Sequence, residues 1–256
     1  FFGANAGSAN TANNNSFFGF NCGLANTTGV QNSFFGSQAG DANTSAQNNS
    51  FFGYDSGGAN STGANNTFFG SLSGAANTVA HNNTFFGFSS GTSNIMGTQN
   101  AFFGSFSGVT NTVSNNAFFG YGTGLVNSTG SRNTFVGSLS GDANTTANDN
   151  SFLGYDCGGA NTTGARNTFV GSTSGDVNSY ADDNSFFGYD SGGSNTTGIR
   201  NTFVGANAGD SNTDGNNNAF FGYDSGGANS TGDNNAFIGN YAGNANTTGS
   251  NNTAVG

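Results

Sequence analysis

Few side chains in this sequence could do chemistry, and their spacing is more informative than their number. Asp55, Asp156, Asp190 and Asp224 stand in the recurring phrase Y-D-[SC]-G-G. Carboxylates can hold a divalent cation where several converge, but the G-G-x-G-x-D spacing of calcium-binding rolls is missing. Turn-forming aspartate is the better expectation. His81 is the single histidine, and neither neighbouring phrase offers it a Cys or carboxylate partner. Cys22 and Cys157 fall where other phrases carry Ser or Ala, so they are expected to be small buried residues. The glycines match no phosphate loop, lacking Lys and a following helix. Asn-x-Ser/Thr triplets at Asn26, Asn60, Asn127, Asn161, Asn195, Asn229 and Asn246 could carry glycans in a secreted chain. No nucleophile, base and orienting group come together, so an enzyme, a cofactor or a metal site is not expected.

What positions these residues is a period. The first Phe of each unit falls at 1, 17, 34, 51, 68, 85, 102, 118, 135, 152, 169, 186, 203, 220 and 237, and Ala254 opens a partial unit. The unit is F-Φ-G-x-x-x-G-x-x-N-[ST]-x-x-x-x-N-[STA], with Φ aromatic or aliphatic and Ile95 the one exception at the [ST] place. Gly and Asn at this density disfavour helix, and no 3.6-residue pattern appears. Short strands broken by glycine turns fit better. Both shortened units lose their residue between the paired asparagines, at Asn10 to Asn15 and Asn111 to Asn116. A place that tolerates deletion is a turn, so N-[ST]-x-x-x-x-N is a corner and the Phe pair lies on the strand leaving it. The expected fold is all-β: a β-solenoid, or parallel β-roll, of about fifteen 17-residue coils spanning 1–256 as one continuous array.

A second rhythm leaves a 34-residue coil open. Three places after the first Phe, large and small residues alternate, as in Tyr155, Ser172, Tyr189, Ala206 and Tyr223. The charges favour 17. Arg132, Asp149, Arg166, Asp183 and Arg200 occupy one column in consecutive units; 17-residue coils stack opposite charges about 4.8 Å apart, whereas 34-residue coils stack like on like, which destabilises a sheet. The invariant asparagines, such as Asn60, Asn66, Asn77 and Asn83, read as stacked amide ladders. Small interior columns are expected at Ala6, Cys22, Ala39, Ser56 and Ser73, and at Ala9, Ala25, Ala42, Ala59 and Ala76. Neighbouring strand residues face opposite ways, so in the pairs Phe51-Phe52 and Phe68-Phe69 one ring enters the core and the other points out, unless the strand bends to bury both.

Thirteen acids against three Arg give a net charge of -10, which leaves little to neutralise phosphates and argues against nucleic acid. No apolar run is long enough to insert in a membrane. An outward stripe of Phe and aliphatics calls for a cover, most simply another copy in a trimer or filament. The array shows no cap at either end, which suggests a segment of something longer or end-to-end association.

The phrase Asn133-Thr134-Phe135-Val136-Gly137 resembles the head repeats of trimeric autotransporter adhesins, and the Gly/Asn-rich units are similar to repeats of phage tail fibres. The resemblance implies a parallel β-roll, trimer formation and adhesion. The expected function is a structural fibre or adhesin segment, extracellular or on the cell surface, that associates with itself and reaches host or environmental surface glycans. The alternative is a ligand-binding solenoid recognising ice or glycan through regular hydroxyl columns.

Overall fold

The computed structural model describes residues 1–256. The chain is all-β and divides into two compact units, Phe1–Ser131 and Arg132–Gly256. The first carries strands β1 (Ser16–Phe18), β2 (Ser33–Phe35), β3 (Ser50–Phe52), β4 (Thr67–Phe69), β5 (Thr84–Phe86), β6 (Ala101–Phe103) and β7 (Ala117–Phe119). The second carries β8 (Thr134–Val136), β9 (Ser151–Leu153), β10 (Thr168–Val170), β11 (Ser185–Phe187), β12 (Thr202–Val204), β13 (Ala219–Phe221), β14 (Ala236–Ile238) and β15 (Thr253–Val255).

Within each unit, every strand pairs in parallel with its copy in the next phrase. Phe34 lies opposite Phe51 and Phe51 opposite Phe68; Phe152 lies opposite Phe169 and Phe169 opposite Phe186. One phrase is therefore one coil of a β-solenoid, and the 34-residue coil is excluded.

The Phe pair splits as strand geometry demands. From Phe17 to Phe237 the first ring of each pair is buried, as at Phe51, Phe68, Phe152 and Phe169, and these stack on their copies at 4.8 to 4.9 Å with nearly parallel planes. The second ring is left partly in solvent, from the half-buried Phe35 and Phe52 to Phe69 at 45% and Phe86 at 48% exposed.

Two invariant glycines make this possible. Gly57 has φ +59°, and a Cβ there would lie 2.5 Å from the Phe51 ring, because the ring packs on that stretch of backbone. Gly53 has φ +140°, and a Cβ would lie 2.5 Å from the backbone of Gly70 in the next coil. Two further columns take a left-handed backbone almost entirely without glycine, at places four and fourteen after the first Phe, as at Asp55 (φ 52°), Leu72 (φ 61°), Asn82 (φ 60°) and Arg132 (φ 58°), with Gly122 the exception. Asn and Asp tolerate this conformation; Leu and Arg are held in it at roughly 1–2 kcal/mol each, offset by the stacking of the coil on its neighbours.

The corner is an amide clamp. Asn60 Nδ2 donates to Asn43 Oδ1 at 3.1 Å and to Gly63 O at 3.0 Å, and Asn60 Oδ1 accepts from Asn77 Nδ2 at 2.8 Å. This first asparagine column is a side-chain ladder as expected. The second works differently: Asn66 Nδ2 donates to the Ala80 carbonyl at 2.8 Å, and Asn66 Oδ1 accepts from the Asn83 backbone N–H at 2.9 Å. Asn66 and Asn83 thus bind coil to coil through the main chain, because their side chains point across the corner toward the carbonyl three places after the first asparagine.

One small column differs from expectation. Cys22, Ala39, Ser56 and Ser73 are buried, but Ala25, Ala42, Ala59 and Ala76 are only half-buried and Ala9 is exposed. The second interior small column lies in the corner instead, at Ala46, Ala80, Ala147 and Ala181, all buried beside the amide clamp.

Candidate functional site

The strand face that looks outward carries two columns, one from each side of the buried Phe. The residue before it is Ser, Thr or Ala; the residue after it is Phe18, Phe35, Phe52, Phe69, Phe86, Phe103 and Phe119 in the first unit. Most of these rings stack on the next, for example Phe35 on Phe52 at 4.8 Å and Phe69 on Phe86 at 4.7 Å. In the second unit the same column becomes mainly aliphatic, and Val136, Leu153 and Val170 line a shallow apolar depression of about 240 Å³ together with Thr134, Ser151 and Thr168.

The charged column lies fourteen places after the first Phe. Arg132 Nε and Nη2 donate to Asp149 Oδ1 and Oδ2 at 2.6 and 2.9 Å, and Arg166 Nε donates to Asp183 Oδ1 at 2.6 Å with Nη2 also reaching Asp182 at 3.2 Å. These hydrogen bonds hold the Asp149 and Asp183 carboxyls below the usual carboxylate range. Arg200 reaches only Asn217 Oδ1, at 3.5 Å. All of these groups are solvent-exposed, so the ladder contributes a modest, salt-screened stabilisation.

A third face was only half visible in the sequence. Asp55, Asp156, Asp190 and Asp224 sit at the left-handed place four after the first Phe. Each carboxylate folds back over the second glycine of its own Y-D-[SC]-G-G phrase: a Cβ on Gly58, Gly159, Gly193 or Gly227 would fall on the Asp Oδ1 of that coil. The intervening coils carry Asp41, Asp142, Asp176 and Asp210, which sequence reasoning missed because they lie in a different column, seven places after the Phe. The fold brings both sets together. Burial, then the neighbouring carboxylates, push Asp142, Asp176 and Asp210 up from the usual carboxylate range; Asp176 feels Asp190 and Asp156, and Asp210 feels Asp224 and Asp190. The signal available in the sequence was the alternation itself, D-x-x-x-x only where the next phrase reads Y-D. No group of three or more His, Cys, Asp or Glu is close enough to hold a metal ion.

The remaining candidates are absorbed by structure. Asn26, Asn60, Asn127, Asn161, Asn195 and Asn229 are fully buried, with their amide nitrogens bonded within the corner, and Asn246 Nδ2 donates to Asn229 Oδ1 and Gly249 O. A glycan on any of these nitrogens would have to displace the clamp, so the triplets do not offer free acceptors. His81 is exposed, and its Nδ1 accepts from the Ala64 backbone N–H at 2.8 Å. Cys22 and Cys157 act as serine substitutes, each Sγ reaching the carbonyl of the buried Phe in the next coil at 3.2 and 3.3 Å. Burial pushes their thiols up to about 11 and about 12. The hydroxyl column after the corner Asn is likewise engaged: Thr27, Thr44, Ser61 and Thr78 each donate to a carbonyl of the next coil at 3.0 to 3.3 Å.

No family model, curated protein or solved structure matches this chain.

Proposed function

We propose that this chain is a structural segment of an extracellular or cell-surface fibre or adhesin, and that it associates with further copies of itself through the outward Phe and aliphatic column. The observation that carries this reading is the stacked, half-exposed ring column of the first unit. Seven rings of some 200 Å² each, the most exposed with nearly half of that in solvent, offer on the order of 500 Å² of contiguous apolar surface. That lies at the upper end of what a soluble monomer leaves uncovered and approaches the roughly 800 Å² per partner of a stable interface. Rings recurring once per coil at 4.7 to 6.2 Å are also self-complementary, because a second identical column can interdigitate with them as side chains do between paired sheets. The net charge of -10 disfavours nucleic acid as the cover. The sequence resemblance to adhesin heads and tail-fibre repeats points to the same class.

The test is sedimentation velocity and electron microscopy of the wild type and of Phe69→Ser/Phe86→Ser. The wild type should form oligomers or filaments over a range of micromolar concentrations, and the variant should sediment as a monomer with an unchanged circular dichroism spectrum. A wild type that stays monomeric throughout that range would remove the reading.

A further inference from the structure

The second unit carries another aromatic array, in a column separate from the strand stripe. Tyr155, Tyr189 and Tyr223 each stand three places after the buried Phe, on every second coil, and are 56%, 61% and 46% exposed. Their column is held in register by the backbone: Thr173 N donates to Tyr155 O at 2.9 Å, Asp190 N to Ser172 O at 3.1 Å, Asn207 N to Tyr189 O at 2.9 Å and Asp224 N to Ala206 O at 3.0 Å. Successive tyrosines are therefore two strand spacings apart, about 9.6 Å. The coils between present only Ser172 and Ala206 at that place, so the rings stand as separate teeth with low ground between them. Neither Tyr155 nor Tyr189 packs on another ring, while Tyr223 is braced edge-on by Tyr241 at 5.3 Å.

Beside the teeth runs a row of carboxylates, Asp156, Asp176, Asp190, Asp210 and Asp224, whose electrostatic neighbours are chiefly one another. The arginines of the unit lie in the other column, with Asp149, Asp182, Asp183 and Asn217. A ligand fitting this face must present a flat apolar surface at the tooth spacing and hydrogen-bond donors beside it. It must also carry no negative charge, because the row would repel it.

We propose that this face binds a neutral β-1,4-linked hexopyranose chain laid along the column, the three tyrosines each stacking on one face of a sugar ring and the aspartates accepting its hydroxyls. Successive sugars in such a chain are turned over relative to each other, so the same ring face returns once per disaccharide, and that repeat is close to the tooth spacing. An α-1,4-linked chain curves and would meet at most one tooth squarely. This site does not depend on self-association, since it uses a different column of side chains.

The experiment uses the full chain and isothermal titration with cellohexaose and chitohexaose, which separate a glucan from an N-acetylglucosamine polymer, alongside the trisaccharides, maltohexaose and polylysine. At least one β-1,4 hexasaccharide should bind, roughly tenfold or more tighter than its trisaccharide because it spans more teeth, with little dependence on salt. Tyr189→Ala should weaken binding about tenfold, while Tyr189→Phe, which keeps the stacking face, should bind within about twofold of wild type. Circular dichroism of each variant checks that the coils are intact. Failure of both hexasaccharides, equal affinity for maltohexaose, an unchanged Tyr189→Ala, or salt-dependent binding of polylysine alone would each overturn the assignment.

Discussion

The asparagine ladder contains one fault, and it yields a sharp comparison. Asn77 Nδ2 donates to Asn60 Oδ1 at 2.8 Å, and Asn77 Oδ1 accepts from Asn94 Nδ2 at 3.2 Å. The next member, Asn111, belongs to a shortened corner. Its Nδ2 turns to Val113 O at 2.7 Å, and its Oδ1 accepts from Asn116 Nδ2 at 2.9 Å. Asn94 Oδ1 is left buried without a donor. Replacing Asn77 by Ala orphans two buried groups, Asn60 Oδ1 and one Asn94 N–H; the Ala80 carbonyl keeps its bond from Asn66. At about 1–3 kcal/mol per orphaned group, the polar cost is roughly 2–6 kcal/mol. Replacing Asn94 by Ala orphans Asn77 Oδ1 but deletes an acceptor that was already unpaired, and Gly97 O keeps its bond from Asn83. The polar cost there is near zero. Both side chains are fully buried and identical, so the cavity contribution largely cancels in the difference. Asn77→Ala should therefore destabilise its coil by about 2 kcal/mol or more beyond Asn94→Ala. Because a repeat array can open locally, native-state hydrogen exchange at the Asn83 and Thr84 amides is the right assay. Equal protection in the two variants, or greater loss in Asn94→Ala, would refute the orphan-group reasoning.

Three further outcomes follow from the same geometry. Gly58→Ala should destabilise the coil by about 1–3 kcal/mol through overpacking against the Asp55 carboxylate, and Asp55→Leu should rescue it, since the neighbouring coil already carries Leu72 with Ala75; chemical denaturation of the four members of the cycle checks this. The second unit's carboxylate row has its folded values raised at Asp142, Asp176, Asp190 and Asp210. The folded state then binds protons more tightly than the unfolded chain, so this contribution is full below the ordinary carboxylate value of about 4 and is lost as pH rises through the raised values. Asp149 and Asp183, held low by their arginines, contribute above that value and lose their contribution as pH falls through their lowered folded values. Urea midpoints should rise from pH 7 toward pH 4 and fall again at more acid pH, and Asp176→Asn/Asp210→Asn should flatten the rise. Finally, Cys22 and Cys157, buried and pushed up to about 11 and about 12, should resist a thiol reagent at pH 8 in the folded chain and react promptly in denaturant.

Much of this architecture could be read before any coordinates because stacking turns a column of letters into a row of neighbours. The alternation of Arg132, Asp149, Arg166 and Asp183 discriminated between coil lengths, and the observed ion pairs join consecutive coils. The two shortened phrases located the corner, and strand alternation sorted Phe51 from Phe52. What escaped was anything that depends on where the backbone turns within the coil. Alternation stops at the Gly53 and Gly57 bends, so the Ala59 column could not be placed by counting and proved half-buried. The two asparagine columns looked alike as letters, yet one bonds side chain to side chain and the other side chain to backbone, a difference set by the angle across the corner.

The aspartate row shows the same limit most clearly. Asp190 and Asp176 belong to different columns of different coils, and within their own column Asp156, Asp190 and Asp224 recur only on every second coil. The left-handed turn at Asp190 (φ 53°) sends its carboxylate back over Gly193, toward the place that Asp176 occupies on the coil before. A column-by-column comparison detects only vertical neighbours; a diagonal pair of this kind becomes visible once the turn between the columns is known. The glycine in Y-D-[SC]-G-G is the letter that records the diagonal, since it is the residue cleared to make room for the carboxylate. The tyrosine ahead of it marks the same coils, so the exposed teeth and the carboxylate row share one two-coil rhythm laid over a one-coil fold.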